Sequence, residues 1–142
     1  MSGITVGIDG SDHSIRALEW AANEAGVRNT PLTVLTVHAF PQSGWTGNPI
    51  IVPQDPEDLE KERQAAEDMT LKVTSQLGEA RPASVAVHAV IGFPAQGLIE
   101  ASRDADLMVV GSRGAGGFVK LVAGSVSDQV VHHAHCPVVV VR

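Results

Sequence analysis

Five short runs of apolar, largely β-branched residues punctuate this chain, and stretches with helical periodicity separate them. The first run is Ile4-Thr5-Val6-Gly7-Ile8, which ends at Asp9. The others are predicted as strands over residues 32–39, 84–90, 107–110 and 137–141. Their length and composition suit buried strands, because branched side chains pack well on a pleated surface. Between the first two runs, Ser11-Asp12-His13-Ser14 offers several helix N-caps. Ile15, Leu18, Ala22 and Ala25 then recur at helical spacing, and Gly26 stands where a C-cap glycine belongs. A second helix is predicted from Pro56, with Glu57 and Asp58 favouring the positive end of its dipole. Leu59, Ala66, Met69, Val73 and Leu77 give it one apolar face, and Gly78 lies beyond its end. A third helix spans residues 94–101 and a last one residues 125–134, where Val126, Val130 and Ala134 stand four apart. Residues 40–56, with their prolines and glycines and no period, read as a long loop.

Strands that are apolar along nearly their whole length, each separated from the next by a helical crossover, imply a parallel sheet covered on both faces. The expected fold is therefore α/β, a doubly wound, Rossmann-like sandwich of five parallel strands in one domain. The length of 142 residues and the hydrophobic share of 44% are enough to bury a core without staples. In such a sheet ligands bind beyond the carboxyl ends of the strands, where the strand order reverses. The segments that follow the strands are therefore the ones that matter.

After the fourth run comes Gly111-Ser112-Arg113-Gly114-Ala115-Gly116-Gly117. Four glycines in seven residues leave backbone N–H groups able to converge on an anion. Downstream, Gly124-Ser125 opens a helix, combining free N–H groups, the positive dipole end and a hydroxyl. Arg113 and Lys120 add positive charge nearby. Taken alone, such a loop is equally well explained as a tight βα turn that needs glycine, with Ser125 as an ordinary cap. A G-x-x-x-x-G-K-[ST] motif is absent, and the first βα turn lacks G-x-G-x-x-G.

Gly111-x2-Gly114-x9-Gly124-Ser125 resembles the ATP-binding signature of the universal stress protein family, G-x2-G-x9-G-[ST], at every defined position. The resemblance extends along the chain. It takes in Val6-Gly7-Ile8-Asp9-Gly10-Ser11, Val37-His38-Ala39 and the closing His135-Cys136-Pro137-Val138-Val139-Val140-Val141. It implies that the backbones of Gly111 and Gly114 approach the phosphates of ATP or AMP, with Gly124 and Ser125 as a second phosphate contact. It also implies that Asp9 stands near the ribose and a nucleotide-bound Mg²⁺, that Gly7 lines the nucleotide, and that the Ala39 backbone reads the adenine edge. Val110, Arg113 and Val126, beside these segments, complete the expected binding set. A bare carboxylate repels a triphosphate, so Asp9 belongs with hydroxyls or a cation. Read without the resemblance, Asp9 is a turn residue capping the first helix. A homodimer pairing Val138 to Val141 across a two-fold axis is a further implication, since an uncovered apolar edge is a liability.

The rest of the sequence narrows the function classes. The net charge of −6 argues against nucleic acid or an anionic membrane as the main partner. No apolar run approaches the roughly 18 residues of a membrane span. The first residues lack the pattern of a signal peptide, and a single cysteine, Cys136, suits a reducing cytoplasm. His132, His133, His135 and Cys136 invite a metal reading. Pro137, however, must break the helix and leave the cysteine out of register, so no resident metal is expected. His38 ends a strand beside the expected pocket, where it either touches the base or is simply hydrogen-bonded. Trp45 either folds over the nucleotide or anchors its loop, and Trp20 reads as packing. Two functions remain: a nucleotide-binding regulatory module of the stress-response type, or a slow ATPase or nucleotidyl- or phosphoryl-transfer enzyme. The second needs a general base near the γ-phosphate, and no histidine or acid lies in the glycine loop. A flavoprotein-like binder of a larger cofactor shares the fold but calls for a further domain.

Overall fold

The computed structural model describes residues 2–39, 56–112 and 125–142. They form β1 (Ile4–Ile8), α1 (Asp12–Arg28), β2 (Pro31–Ala39), α2 (Pro56–Thr74), β3 (Ser84–Gly92), α3 (Pro94–Ala101), β4 (Leu107–Gly111), α4 (Ser125–His133) and β5 (Val138–Val141). The strands lie in the order β3-β2-β1-β4-β5, and every pairing is parallel. This is the expected doubly wound sheet. A short 3-10 turn, Ser102–Asp104, follows α3 and was not foreseen from the sequence.

Side chains alternate across each strand, and this sorts the core into two layers. Ile4, Val6, Ile8, Leu107 and Val109 point to the face covered by α1 and α2. Leu35, Met108 and Val110 point to the other face, where α3 and α4 supply Leu98 and Val130. α1 lies on the sheet through Ala17, Ala21, Ala22 and Ala25, all at 0% exposure. These small residues let the helix axis approach closely. Leu18 fills the same face, and each large aliphatic buried here contributes about 1.5–3 kcal/mol relative to exposure. Trp20 packs at the edge of this layer, as its reading from the sequence implied.

Gly26 corrects one expectation. α1 continues past it to Arg28, and Asn29 in the left-handed conformation (φ 52°) caps the helix, its N–H reaching the carbonyls of Ala25 and Gly26. Gly26 is there for its size. A Cβ at this position would lie 2.2 Å from the Ala80 carbonyl oxygen and 2.7 Å from its carbon. In an exposed helix, glycine to alanine stabilises by about 1 kcal/mol. Here Gly26→Ala is expected to destabilise by about 1–3 kcal/mol, since backbone rather than a flexible side chain must move. Urea denaturation reads the sign directly, and a stabilised variant would contradict the packing role.

Candidate functional site

β1 lies between β2 and β4, so the strand order reverses between β1 and β4. Their pairing runs through Val6 opposite Val109, so Ile8 and Gly111 each follow two residues later at the same rim of the sheet. α1 departs from β1 to one face, while α4 sits on the opposite face with α3. The crevice required by the doubly wound topology therefore opens between the Asp9 turn and the root of the glycine loop.

Asp9 is exposed and organises the first turn. Its Oδ1 accepts hydrogen bonds from the Ser11 N–H at 2.9 Å and the Ser11 hydroxyl at 2.6 Å. Gly10 between them adopts φ +83°, which favours glycine. Ser11 in turn caps α1, its Oγ accepting from the Ser14 N–H at 3.2 Å. Asp9 is thus a turn residue, as its plain reading held, but the cap that reading also gave it belongs to Ser11.

Gly111 is pinned from two sides. Its backbone passes so close to the first turn of α1 that a Cβ would lie 3.0 Å from the carbonyl carbon and oxygen of His13. β5 holds the other side: Gly111 pairs with Val141, and the Ser112 N–H donates to the Val141 carbonyl at 2.8 Å. That N–H belongs to the β5 seam, so not every amide of the expected nest is available to an anion. Val110 is buried, which leaves its main chain as the part that can face a ligand.

The other expected residues are distributed as follows. Gly7 lies in β1 on the α3 face, where a Cβ would meet Leu98 Cδ2 at 2.6 Å, so close helix packing is one reason for glycine there. Ala39 ends β2 opposite Gly92, three residues beyond Thr36, the last residue of β2 that pairs with β1. Ser125 begins α4, and Val126 packs against the Met108 layer. Arg113, Gly114, Lys120 and Gly124, like Trp45, lie outside the described residues, as does the Ser125 side chain. The described residues thus bring Asp9, Gly111 and the end of β2 to one rim.

Two features were not legible in the sequence. Arg16, one turn into α1, donates through Nη2 to His13 Nδ1 at 2.9 Å and through Nε to the Arg142 carbonyl at 3.1 Å. These bonds tie the first turn of α1, which Gly111 abuts, to Arg142 far away in the chain. His38 is hydrogen-bonded rather than open, donating through Nδ1 to Glu62 of α2. No local pattern announces either contact.

At the other end of the sheet, a groove of about 230 Å³ runs between α2 and the start of β3, lined by Arg63, Glu67, Leu71 and Val85 among others. Val85 pairs with Leu32, which pairs with Ile4, so this groove is remote from the Asp9–Gly111 rim. Arg63 bridges Glu60 and Glu67 there, and its hydrogen bond holds the Glu60 carboxyl below its usual range. α4 ends at His133, and among the described residues no three His, Cys, Asp or Glu side chains converge on a metal position. Burial pushes the Cys136 thiol up, which keeps it protonated at neutral pH. No helix among the described residues is long and apolar enough to cross a membrane.

Comparison with known proteins agrees with this architecture. The model of the universal stress protein family matches residues 1–142. The chain belongs to the universal stress protein family. A universal stress protein of Mycolicibacterium smegmatis is 36% identical over 140 residues, covering 99% of this chain and 48% of the relative. The chain thus spans about half the length of the curated relatives it matches. Among solved structures, UspA of Lactobacillus plantarum superposes with a TM-score of 0.77 at 26% identity, covering 99% of this chain and 97% of that one. A universal stress protein solved in complex with cAMP follows at 0.67 and 26%, covering 99% and 96%. One from Archaeoglobus fulgidus in complex with dAMP stands at 0.64 and 26%, covering 99% and 97%. Members of this family with the same fold therefore hold adenine nucleotides.

Proposed function

We propose that this chain is an ATP-binding regulatory module of the universal stress type. ATP or AMP, with Mg²⁺ on its phosphates, occupies the rim between Asp9 and Gly111. The observation that supports this best is the reversal of strand order itself. It sets an exposed, turn-forming carboxylate and the root of the glycine signature side by side at the carboxyl end of the sheet. Related structures with cAMP and dAMP favour an adenine nucleotide.

In this reading Gly111, Arg113, Gly114, Gly124 and Ser125 receive the phosphates. Val110 and Val126 flank them, Asp9 meets the ribose or the cation, Gly7 lines the nucleotide, and the Ala39 backbone meets the base. Occupancy then shifts the population of surface conformations that a protein partner meets. A homodimer through β5 is part of the proposal. The half-exposed Val140 lies on that edge strand, and sedimentation giving the mass of one chain would remove this element.

The reading is of binding in the cytoplasm rather than of turnover. Its test is mass spectrometry of small molecules released from freshly purified protein. Stoichiometric ATP or AMP is the expected finding. A preparation free of nucleotide that also takes up none from millimolar ATP would remove the proposal.

A further inference from the structure

We infer that Glu62 is a positioning residue for the base end of the candidate nucleotide site, acting through His38. The inference rests on the nucleotide reading above and adds a determinant that lies on another element, α2, and makes no contact with the nucleotide.

Pairing between β1 and β2 stops at Ile8 opposite Thr36. The last residues of β2, Val37, His38 and Ala39, project past the end of β1 and are paired on one side, with Val90, Ile91 and Gly92 of the edge strand β3. A strand end held by one neighbour needs anchors on its faces if its backbone is to present fixed hydrogen-bonding groups to a base. On the α3 face, Val37 supplies one by packing into the Leu98 layer, where its Cγ2 lies 3.0 Å from where a Cβ on Gly97 would stand. On the opposite face the anchor is polar: His38 Nδ1–H donates to Glu62 Oε1.

The ion pairs Arg28–Glu24, Arg63–Glu60 and Arg63–Glu67 each lie within one helix. The His38–Glu62 contact instead ties a strand to a helix, 24 residues apart in the chain. Both side chains are partly withdrawn from water, at 26% and 38% exposure, so the bond is less screened than a solvated pair. It also fixes the histidine proton on Nδ1 and with it the orientation of the ring. Ala39, the residue proposed to meet the adenine edge, follows directly. Releasing the His38 anchor therefore loosens the backbone groups that distinguish adenine from other bases.

Calorimetric titration with ATP and with GTP tests this on the wild type, Glu62→Ala and Glu62→Gln. Loss of one net side-chain hydrogen bond predicts that Glu62→Ala binds ATP about three- to tenfold more weakly, with a smaller preference for ATP over GTP. The amide of Glu62→Gln keeps an acceptor for Nδ1–H and is expected to retain ATP affinity within about twofold of wild type. Wild-type ATP affinity and base preference in Glu62→Ala would overturn the inference alone. So would equal weakening by the two variants, because it would point to the helix surface rather than to the hydrogen bond. A wild type that binds no ATP would overturn both the inference and the nucleotide reading beneath it.

Discussion

Exchanging Gly111 for valine is expected to weaken ATP binding by about ten- to a hundredfold, the equivalent of one lost charge-assisted hydrogen bond. The reason is steric and local. A Cβ at Gly111 already comes within 3.0 Å of the His13 carbonyl, and valine adds two methyl groups to that contact. Gly111 is the last residue of β4, and β-branched residues suit strands, so the backbone conformation itself does not resist the change. What must give is the approach of α1 to the root of the glycine loop. β5 holds the next residue through the Ser112–Val141 hydrogen bond, so the displacement is directed into the candidate pocket rather than absorbed outside it. Calorimetry on a variant with wild-type circular dichroism measures the effect. Unchanged affinity would mean that the phosphates do not depend on this approach.

The largest loss of stability is expected at Met108. Its side chain is fully buried, enclosed by Leu35, Leu98, Val110 and Val130 where α3 and α4 meet the sheet. Met108→Ala removes three heavy atoms from a layer sealed by helices on one side and strands on the other, at a cost of about 2–5 kcal/mol. The urea midpoint should fall accordingly with little change in slope. A loss below about 1 kcal/mol would show that α3 and α4 collapse into the space, and that this layer packs more loosely than its burial indicates.

Both predictions turn on packing between segments distant in sequence, and here the sequence and the structure part ways. The strands and helices were legible because hydrophobic periodicity is local: α3 falls at residues 94–101 as expected, and β1 at Ile4–Ile8. Glycine was harder to read, since the residue serves either for its conformational freedom or for its small size. Gly26 looked like a helix stop, yet Asn29 makes the left-handed turn and Gly26 admits the Ala80 carbonyl. Gly10, by contrast, does use its freedom, at φ +83°.

Within the candidate site, the positions of Asp9 and Gly111 after their strands were legible in the sequence. The contacts around the site were not. The Ser112 amide is engaged by β5, Arg16 reaches Arg142, and Glu62 holds His38. Each of these depends on strand order or on the facing of a helix, neither of which a single sequence displays.

The rim between Asp9 and Gly111 is proposed to hold an adenine nucleotide. Isothermal titration of the purified wild-type chain with Mg²⁺ and ATP tests it most directly. Saturable binding of one ATP per chain, weakened by Gly111→Val, is the expected result. No binding at millimolar nucleotide by well-folded protein would contradict it.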